Sequence, residues 1–252
     1  MVQQAVKSSG ITQALLSESK EYAREILIGL NASPSHFHAV NYCKQVLSNN
    51  GFTELKEVGQ WSLESGKGYY FTRNGSTICA FLTGGKCGVE GELVKNFKIV
   101  GCHTDSPVLK IAPNSKKEAF GYNQINVMTY GGGLWRTWFD RDLSLAGKVI
   151  VKEGNKLKAH YWNAARPLMK VPSLAIHLDR SDEFKPNKEV HLKPVLCTGV
   201  INNLFGEGVT AINDDTFRLE DRHLNTLTSL MATDLKVPRE SIIDFELNAY
   251  DS

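Results

Sequence analysis

Lys98-Ile99-Val100-Gly101-Cys102-His103-Thr104-Asp105-Ser106-Pro107 is the stretch around which this 252-residue chain is organised. Ile99 to Cys102 is a short apolar run of the kind that α/β sheets bury as a strand. It ends on His103, and Asp105 follows two residues later. In extended backbone, residues i and i+2 point to the same side. Imidazole and carboxylate can therefore meet at the carboxyl end of a strand, where open α/β sheets bind ligands. A metal-bound histidine usually gives its second ring N–H to a carboxylate or a carbonyl, and His103 with Asp105 supplies both parts. The same spacing fits a hydrogen-bonded histidine with no further task, because a metal site needs three or more ligands.

Composition narrows the classes. A chain of this length can bury a large core, as one domain or two. A hydrophobic fraction of 42% and a charged fraction of 22% are those of a globular protein. The net charge of +2 argues against nucleic acid or an anionic membrane as a partner. No apolar run approaches the length of a membrane span, and Met1 to Gly10 lacks the apolar core of a signal peptide. The cysteines are five, scattered and without a Cys-x-x-Cys pair, which predicts free thiols in a reducing, cytoplasmic setting.

Leu15, Tyr22, Ala23, Ile26, Leu27 and Leu30 recur at helical spacing, and Ser33-Pro34 opens a second helix whose apolar face is Phe37, Val40, Cys43 and Leu47. His36 and His38 are two apart on that helix, point in different directions and are expected at the surface. Residues 69–82 predict a hairpin turning at Asn74-Gly75. The glycine-rich loop 84–91 lacks the spacing of a phosphate loop. Beyond Pro107 helical periodicity gives way to strand-like runs at 125–130, 148–152, 156–161, 173–178 and 189–192, with a hairpin loop at Glu153-Gly154-Asn155. Trp135, Trp138 and Phe139 cluster beside Arg136, Asp140, Arg141 and Asp142, a pattern shared by interface anchors and ordinary core clusters. In Leu174-Ala175-Ile176-His177-Leu178 the apolar residues share one strand face and His177 takes the other, as a solvated histidine or one free to touch something. A helix capped by Asp221 carries Leu224, Leu227, Leu230, Met231 and Leu235, and residues 243–250 alternate as a strand. The expected organisation is an α/β chain in three pieces: 1–107 as one unit, 108–240 as a mostly β insertion, and 241–252 as a strand returning to the first unit.

Several of these segments together resemble the aspartyl aminopeptidases, the M18 family of zinc metallopeptidases. The resemblance covers Ser33 to Val40, Gly51 to Glu57, Thr72-Arg73-Asn74, His103 to Pro107, Tyr130 to Trp135, Trp138 to Leu143 and Leu174 to Leu178. It implies the N-terminal part of a two-zinc α/β catalytic domain (1–107), an inserted β-rich dimerisation domain (108–240) and the first strand of the returning catalytic domain (241–252). It further implies removal of N-terminal Asp or Glu from peptides by metal-assisted hydrolysis, and assembly of dimers into a homo-oligomeric dodecamer. By matching position His103 is implied as a zinc ligand, Asp105 as the catalytic carboxylate that orients it, and His177 as a substrate-binding residue reaching a neighbour's active site. Family members are longer. Their remaining ligands and general base belong beyond this chain, and Asp244, Glu246 and Asp251 do not match them. The expectation is therefore a truncated chain, inactive by itself. The alternatives are a non-catalytic product that pairs with full-length subunits, or another two-metal exopeptidase with the same His-x-Asp corner.

Overall fold

A computed structural model describes residues 12–85, 96–180, 183–206 and 219–252. The N-terminal leader and most of the 84–91 loop lie outside the described residues. The chain packs as two units, one built from residues up to 33 with 38–104, the other from 34–37 with 105–252.

In the first unit, helix α1 (Gln13–Asn31) starts where Thr12 Oγ1 accepts the Leu15 N–H at 3.1 Å. Its predicted apolar face forms, yet the helix buries none of its residues. Helix α2 (His36–Asn49) is tied to a small sheet by the Ser48–Tyr70 hydroxyl pair at 2.8 Å and the Lys44–Glu54 ion pair at 2.7 Å. That sheet joins β1 (Thr53–Glu54) in parallel to β2 (Gly68–Arg73), which turns back into β3 (Thr77–Leu82). The turn uses Asn74 and Gly75, both at positive φ, as an Asn-Gly hairpin requires.

The strand expected at Ile99–Cys102 is not formed. Val100 is 97% exposed and the segment joins no ladder. An apolar run becomes a buried strand only where neighbouring strands take up its N–H and C=O groups, and none among the described residues does so.

The second unit is organised on a six-stranded sheet, ordered β7-β6-β9-β4-β5-β8 among the described residues. Its strands are β4 (Val108–Ala119), β5 (Tyr122–Tyr130), β6 (Leu143–Glu153), β7 (Lys156–Asn163), β8 (Val195–Thr198) and β9 (Ile242–Asp251). Every pairing is antiparallel. Alternation puts Leu109, Leu145, Val149, Leu247 and Ala249 on one face, in a core shared with Leu227 and Met231. These last two lie on helix α5 (Asn225–Leu235), which follows the short helices α3 (Gly199–Gly206) and α4 (Leu219–Arg222). The opposite face carries Lys110, Lys148 and Glu246.

Three expectations change. The runs 173–178 and 189–192 are turns and irregular chain, with Leu174, Ile176 and Leu178 exposed and no strand beside them among the described residues. Asp221 falls in α4, and α5 begins after Leu224 instead. Residues 241–252, expected to return to the first unit, supply β9, which pairs along nine register positions with β6 inside the second. Alternation alone identifies a strand, not the partner that takes its hydrogen bonds.

The β4–β5 hairpin closes through Phe120 and Gly121, both at positive φ. That is the geometry of a type I′ turn, which favours Asn at its first position and penalises a bulky side chain. Phe120 is also 98% exposed, so its ring recovers nothing by burial. Phe120→Asn should stabilise the fold by about 1 kcal/mol, read as a higher midpoint in urea unfolding. A lowered midpoint would show that Phe120 contributes packing in the folded state.

Candidate functional site

The three residues singled out from sequence fall in different settings. His103 is exposed, on irregular chain that packs with the first unit. Its neighbour Thr104 donates through Oγ1 to the Ser76 carbonyl at 2.9 Å. Asp105 belongs to the second unit. His177 is exposed on the turn that the Leu178 N–H closes onto the Ala175 carbonyl at 2.8 Å. Among the described residues no three His, Cys, Asp or Glu side chains come together as a metal site would need. The donors present therefore do not by themselves fit a zinc ion.

Asp105 sits at the edge of a polar cluster on the face of the sheet opposite the core. Tyr130, the last residue of β5, donates its hydroxyl to Asp105 Oδ2. The hydrogen bond and the Asp105 charge together raise the Tyr130 phenol above its ordinary value. Lys110 Nζ lies 4.7 Å from the centre of the Tyr130 ring, within range of a cation–π contact. The same ammonium pairs with Glu246 Oε1 at 2.7 Å, and His36 Nε2 stands 3.6 Å from that oxygen. Lys148 caps the Phe37 ring at 4.4 Å. Burial is the largest influence on Glu246 and pushes its carboxyl up. The Lys110 hydrogen bond and the charges of Lys110, His36 and Lys148 more than reverse it, leaving the carboxyl below its ordinary value. Burial also lowers the His36 imidazole, against the opposing pull of Glu246.

Tyr130, Lys110, Glu246 and His36 were not among the candidates from sequence, but for Lys110 and Glu246 a signal was present. Lys110 interrupts Val108-Leu109-Lys110-Ile111 and Glu246 interrupts Phe245-Glu246-Leu247. These are opposite charges at the outward positions of strands that prove adjacent. Asp251, at the carboxyl end of β9, is engaged by Arg141. That pair lines a cavity of about 270 Å³ with Thr137, Trp138 and Leu143.

A second polar cluster lies on the core side. His223 is only 2% exposed. Its Nδ1 meets Ser115 Oγ at 2.8 Å, its ring packs 4.3 Å from that of Phe245, and its buried Nε2 has no partner among the described residues. Burial, with the Arg222 charge adding to it and Asp244 opposing, lowers the imidazole to about 4.

The chain is 39% identical to an aspartyl aminopeptidase of Aspergillus oryzae, over 96% of its own length and 51% of that relative. It is 42% identical to a probable aspartyl aminopeptidase of Ricinus communis, over 88% of this chain and 49% of the other. The chain thus spans about half the length of the curated relatives it matches. Among solved structures, the cryo-EM structure of the Ape4 and Nbr1 complex superposes with a TM-score of 0.84 at 37% identity, covering 95% of this chain and 46% of that one. Chaetomium thermophilum mApe1 superposes with a TM-score of 0.76 at 30% identity, covering 92% and 51%. The sequence profile of the aminopeptidase I zinc metalloprotease (M18) family matches residues 29–252, and the chain belongs to that family.

Proposed function

We propose that this chain contributes the N-terminal half of an aspartyl aminopeptidase, which removes Asp or Glu from the N-terminus of peptides. The observation that carries the reading is the match of nearly the whole chain to half of proteins named aspartyl aminopeptidases. In this reading His103 is one zinc ligand, Asp105 is the carboxylate that orients it, and His177 contacts substrate in a neighbouring subunit of a homo-oligomer. The pieces 1–107 and 108–240 keep their reading as catalytic and pairing segments, and 241–252 is read with the second unit, whose sheet it joins as β9. A reducing, cytoplasmic setting belongs to the same reading, in keeping with the free thiols of Cys43, Cys79, Cys102 and Cys197 among the described residues. Among those residues no helix is long and apolar enough to cross a membrane.

The donor set bears on activity. One imidazole from this half cannot hold a catalytic zinc, which takes three protein ligands. No chemical step is therefore assigned to a metal on this chain alone. The 252-residue chain is expected to show no turnover of Asp-, Glu- or Leu-initiated peptides in the presence of zinc. The full-length peptidase is expected to cleave the Asp and Glu peptides in preference to Leu. Turnover by the chain alone, or a preference of the full-length protein for Leu, would overturn the reading. Native mass spectrometry of the chain tests the homo-oligomer, and a strictly monomeric species at micromolar concentration would remove that part.

A further inference from the structure

The carboxylate of Asp105 is held by a side chain to which the proposed function gives no task. We propose that Tyr130 is a positioning residue for Asp105, fixing the orientation of its carboxylate through the hydrogen bond from Tyr130 Oη to Asp105 Oδ2. This rests on the reading of Asp105 as a functional carboxylate.

Tyr130 is built to hold a fixed direction. It is paired in the ladder with Val108, three residues beyond Asp105, so the ends of β4 and β5 lie in register beside the carboxylate. Immediately after it Gly131 takes a positive φ of 75, and a Cβ there would come within 3.4 Å of Pro107 Cα. The backbone after Tyr130 thus packs against the segment that carries Asp105. On its other side the ring faces the Lys110 ammonium, which the 2.7 Å contact with Glu246 holds in place. Asp105, Tyr130, Lys110, Glu246 and His36 form one run of contacts across the face of the sheet opposite the core, all within the second unit.

Tyr130 is 39% exposed, so its hydroxyl is not needed to fill the core. A donor that engages one carboxylate oxygen leaves the other directed elsewhere, as supporting hydrogen bonds around catalytic and ligating groups do. Such partners change activity or ligand affinity without changing the fold.

Tyr130→Phe removes the hydroxyl and keeps the ring beneath Lys110. In the 252-residue chain, three-bond carbon couplings on labelled aspartate report the Asp105 χ1 rotamer. A single rotamer is expected in the parent and an averaged one in Tyr130→Phe, with the melting temperature almost unchanged. In the full-length peptidase the same substitution should lower kcat about tenfold and leave KM within about twofold, because the bond orients a reacting group and does not bind the peptide. Asp105→Asn is run beside it. The proposal is overturned if the Asp105 rotamer stays single in Tyr130→Phe. It is also overturned if Tyr130→Phe keeps full kcat while Asp105→Asn is inactive. Activity surviving Asp105→Asn would sink the functional reading of Asp105 instead, and the couplings would still decide whether Tyr130 holds it.

Discussion

Replacing Gly147 with alanine is expected to disrupt the second unit, seen as a large fall in the urea midpoint or loss of a cooperative transition. Gly147 lies in β6 opposite Leu247 of β9. A Cβ at this position would sit 2.0 Å from the Glu246 carbonyl oxygen and 2.9 Å from Leu247 Cα. Both obstacles are backbone atoms of a strand paired on its two sides, so neither can swing away as a side-chain tip would. Relief requires separating β6 from β9 in the middle of the sheet. Overpacking in such surroundings costs about 3 kcal/mol or more. Gly154→Ala is the control. It has a positive φ of 60 but nothing within 4 Å of its would-be Cβ. Strain alone should cost it about 1–2 kcal/mol. If G147A melts with the parent protein, the two strands cannot cross at this register.

Acid should weaken the same unit well above the pH at which carboxylates protonate. The folded His223 imidazole is lowered to about 4 from an ordinary 6.5. Between those values the unfolded chain takes up the proton and the folded chain does not. Stability is therefore lost as pH falls from 6.5 toward 4, and this contribution levels off below 4. The shift corresponds to about 3 kcal/mol at its full extent. The physical cause is visible in the site. Protonation would place a charge on a ring whose Nε2 is buried without a partner among the described residues, next to Arg222. His36 is lowered too and contributes with the same sign, so the comparison that isolates His223 is with His223→Gln. That variant should be less stable than the parent at pH 7 but should lose distinctly less between pH 6.5 and 4.5 in urea titrations. Parallel loss in both proteins would remove His223 as the source.

What could be read from the chain follows the range of the interactions involved. The Asn74-Gly75 and Gly154 turns, strands β5 to β7 and helix α5 follow from local stereochemistry and alternation, and the structure has them. The run at 99–102 has the right composition for a strand, but composition does not provide the neighbours. The same holds for 173–178, whose apolar residues stay exposed. Within the candidate site, His103, Asp105 and His177 could be picked out by residue type and resemblance. Tyr130 could not, because its partner lies 25 residues earlier and is reached only when β4 folds back on β5. His223 carries no spacing signal in the sequence. Its partner Ser115 is 108 residues away, at the shift in register between Ile111 and Lys116.

The order of strands also sets a timetable for the molecule's birth. β9 is the last of the six in sequence, yet it occupies the middle of the sheet, between β6 and β4. While residues 242–251 are still unmade, the β4–β5 and β6–β7 hairpins lack the strand that joins them, and the edges of β4 and β6 that face it stay bare. Joining them means closing a loop in which Lys110 and Glu246 are 136 residues apart, a slow and entropically costly event. During synthesis the nascent second unit is thus a pair of unfinished ribbons until β9 emerges, and exposed edges of that kind recruit other chains. Chaperone dependence and aggregation in this protein should be concentrated in that interval, before the ten residues that zip the two halves together have arrived.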